Sequence, residues 1–491
     1  MTKLNYFNRQ DKPHEECGIV GIYNPKKNVA KDLFFGLFSL QHRGQESAGI
    51  ATSSGFGINL QANMGLVSQV FNEENISKLS GGVGIGHTRY STMGGSKKNN
   101  AQPLIASGIR GEIAIGHNGN VINASELREE LSIEFGSKFE RSSDTEVILE
   151  MFANAPGKNW FEISSYVMRR LKGAYSLVIM NDDELIAVRD PLGIRPLCLG
   201  KLDDGWVVAS ESSALDNLGA QFIREIENGE TLVINSEGVK SKIWNGSSKN
   251  HKMCIFEHIY FARPDSILNG ELAYETRFRL GSELFKEHPV KADIVVGIPD
   301  SSTPHAAGLA AASKIPYSDA IIRNRYVGRT FINPDQSSRD TNVANKFNPM
   351  KEIINGKRLI VVDDSIVRST TIKKVISMLR KAGAKEIHVR VASPPIKSTC
   401  HFGVDMATLS QLIAANKTND EIRDMINADS LAYLSVEGLQ KATKSKKSEY
   451  CKGCFTGKYP IPVQLEMDKL TLEKEMITLN IKSPKHIWNQ V

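Results

Sequence analysis

KRLIVVDDSIVRSTT, residues 357–371, joins a short apolar run to two carboxylates and a loop rich in hydroxyl groups. The run predicts a buried strand of a parallel sheet, and helical periodicity begins near Ile372. Backbone N–H groups at the start of that helix can bind a phosphate dianion. Asp363 and Asp364 can accept hydrogen bonds from ribose hydroxyls and lie near a Mg²⁺ ion that a diphosphate brings with it. The hydroxyls beside the helix start belong to Ser365, Ser369, Thr370 and Thr371.

Two other interpretations of this stretch are possible, one structural and one functional. The acidic end of a strand can cap the helix that follows it. A strand ending in Asp also accompanies the phosphate loop of nucleotide-hydrolysing enzymes, but the chain has no G-x-x-x-x-G-K-[ST] sequence.

The stretch resembles the signature of type I phosphoribosyltransferases, which bind phosphoribosyl diphosphate (PRPP). That family usually has Gly where Ser369 stands in this chain. Upstream, VVGIPDSSTPHAAG resembles the family's diphosphate-binding segment, with residues 299–303 forming the loop. The resemblance implies that Ser301 lies with the two carboxylates near Mg²⁺, and that Arg368 takes part in binding PRPP.

A long polar loop, RNRYVGRTFINPDQSSRDTNVANK, lies between these two segments. A solvated surface loop is the simpler interpretation, although loops of this length in compact domains are more often functional. In the phosphoribosyltransferases that the chain resembles, this loop closes over the diphosphate as a lid. The residues that would do so are Arg325, Tyr326, Arg329 and Lys346.

The bulk composition predicts a soluble protein of two domains. The chain has 491 residues, and this length is more than one hydrophobic core usually organises. Its composition, 41% hydrophobic and 24% charged, is typical of globular proteins. No apolar run reaches the roughly 18 residues of a membrane helix, and the polar start MTKLNYFNRQDKPHEE lacks a secretion signal. We therefore expect a cytoplasmic protein without a membrane partner. The net charge of +6 is spread along the chain and suits small phosphorylated substrates at least as well as nucleic acid.

The order of apolar segments indicates an α/β protein with two kinds of sheet. Short β-like segments between Gly-rich turns predict mostly antiparallel sheets up to about Val239. Residues 234–252 are rich in Gly, Ser, Asn and Lys, which predicts an interdomain connection. Beyond it, alternating strands and helices predict a doubly wound parallel sheet with ligands at the carboxyl ends of its strands. The predicted division is a leader at 1–16, an amino-terminal domain at 17–240, a second domain at 253–465 and a helical tail at 466–491.

Cys17 begins the strand-like segment CGIVGIY, where a single cysteine is more often a small core residue than a nucleophile. Four motifs after it favour the nucleophile. They are QHRGQESAGI (41–50), GHTRYSTMGG (86–95), GHNGNVIN (116–123) and SSDTEVI (142–148). Together they resemble the glutamine amidotransferases of the N-terminal-nucleophile hydrolase class, and the resemblance implies an αββα sandwich.

The resemblance also implies a role for each polar residue in these motifs. Cys17 would attack the glutamine amide, with its own α-amino group as the base. Asn118 and the backbone N–H of Gly119 would stabilise the oxyanion. Arg89 would bind the α-carboxylate of glutamine and Asp144 its α-ammonium group. Taken singly, Arg89 and Asp144 are more typical of surface salt-bridge partners.

This chemistry requires removal of the leader after Glu16. Only then does Cys17 have a free α-amino group, whose ordinary pKa of about 7.7–8.0 suits a base near neutral pH. We therefore expect an autocatalytically or otherwise processed mature form that begins at Cys17.

The other cysteines have two kinds of context. Cys451 and Cys454 form C-K-G-C, which alone is compatible with half of a zinc site, a redox pair or neither. With the contexts of Cys254 and Cys400, they resemble the segments that ligate a [4Fe–4S] cluster in one branch of the amidophosphoribosyltransferases. Cys198 has no such context, and we expect it in the core.

Taken together, residues 16–460 resemble the iron–sulfur-containing amidophosphoribosyltransferase family. The resemblance implies that glutamine, PRPP and water give 5-phosphoribosylamine, glutamate and diphosphate, the first step of purine synthesis, with ammonia channelled between two sites. It also implies feedback inhibition by purine nucleotides and a homotetramer or homodimer. A glutaminase-domain enzyme with another acceptor is an alternative, but it would not need the VVDDSIVRSTT loop. A DNA-binding regulator is another, but it would not need Cys17, and no helix-turn-helix or basic arm is evident.

Overall fold

The computed structural model describes residues 14–15, 17–90, 97–249, 251–324, 347–406, 408–444 and 450–463. The strands are β1 His14–Glu15, β2 Cys17–Tyr23, β3 Ser47–Ser53, β4 Ile58–Met64, β5 Val83–Arg89, β6 Leu104–Gly108, β7 Gly111–Val121, β8 Gly173–Met180, β9 Leu185–Arg189, β10 Cys198–Leu202, β11 Gly205–Ala209, β12 Gln221–Glu225, β13 Glu230–Asn235, β14 Gly238–Ile243, β15 Ile267–Leu268, β16 Glu271–Leu272, β17 Ile294–Gly297, β18 Ile321–Arg323, β19 Phe347–Pro349, β20 Arg358–Asp363, β21 Glu386–Val391, β22 Val404–Asp405 and β23 Ser430–Tyr433.

Fifteen α-helices accompany these strands in the described part of the chain. They are α1 Ala30–Ser39, α2 Val67–Val70, α3 Glu73–Ser77, α4 Ala124–Glu134, α5 Asp144–Asn154, α6 Trp160–Arg170, α7 Ser212–Asn217, α8 Ala273–Glu287, α9 Thr303–Ser313, α10 Lys351–Ile354, α11 Thr370–Lys381, α12 Ile413–Asn416, α13 Asn419–Ile426, α14 Val436–Ala442 and α15 Gly453–Thr456. Short 3₁₀ turns occupy Lys98–Asn100 and Leu409–Gln411, and a π-turn occupies Glu257–Phe261.

Two antiparallel sheets form the first half of the protein. The seven-stranded sheet has the order β12-β10-β11-β2-β5-β3-β4, and the six-stranded sheet has the order β14-β13-β9-β8-β7-β6. Side chains alternate between layers along each strand. In β2, Ile19 packs between the two sheets, whereas Val20 and Ile22 pack toward α1 and α7. Helices α4, α5 and α6 cover the outer face of the other sheet. This is the predicted αββα sandwich.

The second half contains a parallel sheet of order β17-β20-β21-β23. Helices α8 and α9 cover one face, and α11 and α13 cover the other. The chain leaves β17 and β20 toward opposite edges of the sheet. After α9 it returns on the outer side of β17, where Tyr317 bridges Val295, whereas α11 leads from β20 to β21. The switch point therefore lies between the carboxyl ends of β17 and β20, where doubly wound sheets bind ligands.

The connection between the halves is shorter than residues 234–252. Residues up to Asn235 complete β13, and Gly238–Ile243 form β14, which pairs with β13 along its whole length. The polar composition of this segment reflects an exposed edge strand, so the prediction of a linker is wrong for its first half. The predicted helical tail at 466–491 lies outside the described residues. Among the described residues, none of the helices combines the length and apolar character needed to cross a membrane.

Candidate functional site

Cys17 and Arg89 lie on neighbouring strands at one end of the seven-stranded sheet. Cys17 is the first residue of β2, and its register partner in β5 is Arg89. Both side chains are buried, with 5% and 3% of their surface exposed. They line a small pocket together with Tyr90, Gln102, His117, Gly119, Ser143, Asp144 and Thr145. The structure thus brings together four of the residues that the sequence assigned to glutamine.

Asn118 and Gly119 come from β7 of the facing sheet. Asn118 is fully buried, and neither its amide nitrogen nor its amide oxygen has a hydrogen-bond partner among the described residues. Gly119 has φ of +148°, and a Cβ there would lie 2.0 Å from the carbonyl oxygen of Ala174. Only glycine fits this position. A buried amide without a partner is available to hydrogen-bond a substrate oxygen.

Asp144 is held at the start of α5, next to the helix cap. Its Oδ2 atom accepts a hydrogen bond of 3.0 Å from the backbone N–H of Val121. The Ser143 hydroxyl caps the helix by accepting from Thr145 N–H. An acidic side chain is favourable at the N-terminus of a helix, and here it also forms part of the pocket wall.

A buried polar network at the wall of the pocket was not assigned from the sequence. His117 Nδ1 lies 3.2 Å from Thr145 Oγ1, and Gln102 Nε2 donates to the same hydroxyl at 2.9 Å. His87 Nε2 contacts the backbone oxygen of His117 at 3.0 Å. Burial lowers the pKa of His87 to about 3 and lowers that of His117, so both rings are neutral near pH 7. Both histidines belong to the glycine-rich motifs at 86–95 and 116–123, but Gln102 has no sequence signal.

The second candidate site lies at the switch point of the parallel sheet. Ser301 Oγ donates to Asp364 Oδ2 at 2.6 Å. Ser302 Oγ lies 3.2 Å from Asp363 Oδ1 and 3.0 Å from the backbone nitrogen of Asp364. Ser365 Oγ donates to the second oxygen of Asp364 at 2.7 Å. The structure therefore joins the two segments that the sequence predicted, and it adds Ser302, which is fully buried.

The loop after β20 ends at a residue with left-handed backbone. Ser369 has φ of 66° and ψ of 1°, which explains why glycine suits this position. Helix α11 begins at Thr370, two residues before the predicted start. Its first turn includes Thr371, and backbone N–H groups at the start of a helix are of the kind that bind phosphate. Arg368 extends from the loop, where its guanidinium contacts Gln411 Oε1 at 3.1 Å.

A segment of the second half packs directly on β7. Asn120 Nδ2 donates to the backbone oxygen of His401 at 2.9 Å. Arg195 donates to the backbone oxygen of Gly403. A Cβ on Gly403 would lie 2.9 Å from the carbonyl carbon of Gly119. The two halves are therefore in contact at the wall of the pocket that Cys17 lines.

A buried ion network also joins the two halves. Arg43 pairs with Glu211, and its Nη2 atom lies 2.8 Å from Glu257 Oε2. Ser266 Oγ donates to Glu211 Oε2 at 2.6 Å. Burial opposes ionisation of Glu211, but Arg43 and His42 outweigh it and hold the pKa of this carboxyl well below its usual value.

Comparison with known proteins agrees with both sites. A glutamine amidotransferase domain model matches residues 87–217, and a phosphoribosyl transferase domain model matches residues 265–394. The amidophosphoribosyltransferase of Synechocystis sp. is 48% identical over 470 residues, which cover 94% of this chain and 95% of that protein. That of Methanocaldococcus jannaschii is 47% identical over 467 residues, which cover 92% and 98%. The chain belongs to the amidophosphoribosyltransferase family.

A solved structure leads to the same family. Glutamine phosphoribosylpyrophosphate amidotransferase from B. subtilis, complexed with ADP and GMP, superposes with a TM-score of 0.85 at 42% identity. The match covers 92% of this chain and 99% of that one. As an amidophosphoribosyltransferase, the protein catalyses glutamine-dependent amidotransfer to PRPP in purine biosynthesis. Arg89, Gly119 and Asp144 of the first candidate site lie in the matched amidotransferase domain, and the second candidate site lies in the matched phosphoribosyl transferase domain.

The amidophosphoribosyltransferase fold brings together four cysteines of the second half from three separate segments of the chain, namely Cys254, Cys400, Cys451 and Cys454. Cys254 forms a parallel β-bridge with Cys451, and the backbone oxygen of Cys454 accepts from Lys397 and Ser398 N–H at 2.9 and 3.0 Å. These contacts bring the segment that ends at Cys400 beside C-K-G-C. Burial, followed by the charges of the other three cysteines, raises the pKa of Cys454 well above its usual value.

Four cysteines are a ligand set of both structural zinc sites and [4Fe–4S] clusters. Among the residues that the structure describes, no group of three or more His, Cys, Asp or Glu side chains is arranged to hold a metal ion. Cys198 lies apart from this set, buried in the core as predicted.

The predicted lid residues of this amidophosphoribosyltransferase fall outside the described part of the chain. Arg325, Tyr326, Arg329 and Lys346 all belong to residues 325–346. The described chain stops at Asn324 and resumes at Phe347, next to the switch point. Just before this interval, Arg323 Nη1 lies 2.6 Å from Asp300 Oδ2 in the predicted diphosphate loop.

Proposed function

We propose that Cys17 is the nucleophile that releases ammonia from glutamine after the leader has been removed. Its freed α-amino group would act as the base, so that the thiol and the base belong to one residue. The observation that carries this proposal is the pocket in which Cys17, Arg89, Gly119 and Asp144 meet. Two charge-assisted contacts at the α-carbon of glutamine, from Arg89 to its carboxylate and from Asp144 to its ammonium group, would hold the side-chain amide against the thiol.

Oxyanion stabilisation would come from β7. The Asn118 side chain has no partner among the described residues, and the backbone N–H of Gly119 follows it in the chain. In other enzymes an oxyanion donor of this kind contributes about 2.7–4 kcal/mol to the rate. His117 and Thr145 would keep these groups in position, since both line the pocket and contact each other.

PRPP would bind at the switch point of the parallel sheet. Asp363 and Asp364 would bind the ribose hydroxyls and, with Ser301, lie near the Mg²⁺ ion. A protein usually contributes only one or two carboxylates to Mg²⁺, and phosphate oxygens and water complete the shell. The bound ion would neutralise charge on the departing diphosphate. The 5-phosphate would lie in the loop at the start of α11, whose residues are Ser365, Arg368, Ser369, Thr370 and Thr371.

Ammonia would pass between the two sites without entering solvent. Ammonia in neutral water is mostly protonated and not nucleophilic, so a dry passage would keep it reactive. The contact between Gly403 and Gly119 supports this proposal, because it places a segment of the second half directly against the wall of the proposed glutamine pocket. The loop Arg325 to Lys346 would close over PRPP and complete the passage.

The four cysteines would hold a [4Fe–4S] cluster with a structural role. Thiols that are buried side by side cannot all ionise unless a cation compensates their charge, and a cluster with four thiolate ligands supplies this compensation. Cys254, Cys400, Cys451 and Cys454 would each bind one iron. Iron and sulfide analysis of anaerobically purified protein tests this, and zinc in place of iron would contradict it.

Purine nucleotides would act as feedback inhibitors. The support is the related B. subtilis enzyme, which was solved with ADP and GMP bound. A homo-oligomer and a cytoplasmic location are further predictions from the sequence.

Two substitutions separate the proposed half-reactions. Cys17→Ala removes the nucleophile, so glutamine-dependent formation of phosphoribosylamine should fall at least about 1,000-fold while synthesis from ammonia persists. Asp364→Asn should impair synthesis from both nitrogen donors, because both need PRPP. Cys198→Ala, in the core, is the matched control. Glutamine-dependent activity in the Cys17→Ala protein would contradict the assignment.

A further inference from the structure

The chain passes from one sheet to another at the junction between leader and mature protein. Glu15 ends β1, which pairs antiparallel with β22 in the second half, with His14 opposite Asp405 and Glu15 opposite Val404. Cys17 begins β2, which lies between β5 and β11 in the seven-stranded sheet. One residue therefore separates a strand held by the second half from a strand held by the first.

The strand that holds the leader is fixed by two buried residues of the first half. Residues 401–403 lead directly into β22. They are held by Asn120, whose side chain bonds the backbone oxygen of His401, and by Arg195, which bonds that of Gly403. Arg195 is fully buried and lies 3.6 Å from Glu257. The position of β22 relative to Cys17 is thus set by buried contacts rather than by the leader.

We propose that β22, Val404–Asp405, is the docking site for the leader, and that removal of the leader depends on it. The second half of the chain would then take part in generating the nucleophile of the first. This inference rests on the proposed processing after Glu16. It makes maturation a test of correct assembly, because the leader is docked only when the second half has folded against the first.

Backbone pairing suits a segment that is used once and discarded. An added strand is bound by main-chain hydrogen bonds, so its side chains contribute little. Two anchored strands on either side of a bond limit its motion and favour one attack geometry. The reaction is hydrolysis of the Glu16–Cys17 peptide bond. One water molecule supplies the hydroxyl that completes the Glu16 carboxyl group and the proton that completes the Cys17 amine.

Proline substitutions in the leader test the proposal without altering the mature enzyme. Proline cannot donate a hydrogen bond to a strand, whereas alanine keeps the backbone N–H. In a two-residue antiparallel pairing, one register pair exchanges both hydrogen bonds. Either His14 or Glu15 is therefore in the hydrogen-bonded pair. We expect proline at that residue to slow leader removal roughly three- to tenfold. His14→Ala and Glu15→Ala should be processed like the wild type.

The register makes the test specific to β22. If proline at 14 delays processing, proline at its partner position 405 should do so, and position 404 should be less sensitive. If proline at 15 causes the delay, position 404 should be the sensitive one. Intact mass spectrometry over time gives the fraction of chains that keep Met1 to Glu16, and PRPP binding checks that the 404 and 405 variants have folded.

The outcomes separate this inference from the processing on which it rests. If the wild-type chain keeps its leader while it is active, the proposed processing fails. If the wild type is processed and both His14→Pro and Glu15→Pro are processed at the wild-type rate, β22 is not a docking strand. This inference then fails, while the proposed processing stands.

Discussion

Cys17 lies opposite Arg89 in adjacent antiparallel strands, so one backbone register sets the distance between the proposed nucleophile and the proposed carboxylate-binding residue. A single register shift would turn one of the two side chains to the other face of the sheet. The buried layers on both faces prevent such a shift. The pocket is therefore defined mainly by the fold of the sandwich and only secondarily by its loops.

Arg89→Gln should weaken glutamine binding without affecting PRPP. A hydrogen bond to a charged group contributes about 1.5–3 kcal/mol, so KM for glutamine should rise roughly 10- to 100-fold. Synthesis from ammonia should stay at the wild-type rate. Arg110→Gln is the matched control, since Arg110 donates to the backbone oxygens of Ala155 and Gly157 and does not line the pocket. A normal KM for glutamine in the Arg89→Gln enzyme would remove Arg89 from the site.

Ser302→Ala should weaken PRPP binding through the acidic pair. The hydroxyl of Ser302 contacts both Asp363 and the backbone of Asp364, so its loss frees the two carboxylates to move. We expect KM for PRPP to rise about tenfold, with a larger effect at low Mg²⁺. Ser313→Ala, at the other end of α9, should change neither quantity. An effect of Ser302→Ala on stability without any Mg²⁺ dependence would indicate a purely structural role.

The left-handed backbone at Ser369 makes this position sensitive to side-chain shape. A β-branched residue is strained there, so Ser369→Val should lower the free energy of unfolding by about 1–2 kcal/mol and raise KM for PRPP. Ser369→Gly should be at least as stable as the wild type. Asn427, with φ of 58° at the end of α13, is a control far from the loop. Asn427→Val should lose stability but keep the wild-type KM.

The network at Glu211 predicts a pH dependence of stability. The pKa of Glu211 in the folded protein lies well below its usual value, so ionised Glu211 stabilises the fold above pH of about 4.3. That contribution is lost as the pH falls toward the folded pKa. Glu211→Gln should lower the free energy of unfolding by about 3 kcal/mol at pH 7, because Arg43 is left in a buried site with one partner fewer. Calorimetry should show the gap in Tm between the two proteins narrowing below a pH of about 4.3. An equal gap at neutral pH and in this acidic range would exclude the role.

The sequence predicted the parts of the protein whose chemistry is local. Apolar runs with clear boundaries, such as CGIVGIY, became strands at the expected residues, and the motif residues converged on two sites. Predictions were poorer where tertiary contacts decide the structure. The polar segment 238–243 is a strand because β13 offers it an edge, which composition alone does not reveal. Ser302 and Gln102 act through partners 61 and 43 residues away, and no local pattern marks such pairs.

Coupling between the two sites is tested most directly by glutamate release from glutamine, measured on the mature protein, prepared anaerobically with Mg²⁺, with and without PRPP. The contact between the two halves at Gly119 and Gly403 predicts that PRPP strongly stimulates glutamate release, and that each glutamate is matched by one phosphoribosylamine. Glutamate release at the same rate with and without PRPP, from protein whose amino terminus is Cys17, would contradict the coupling of the two sites.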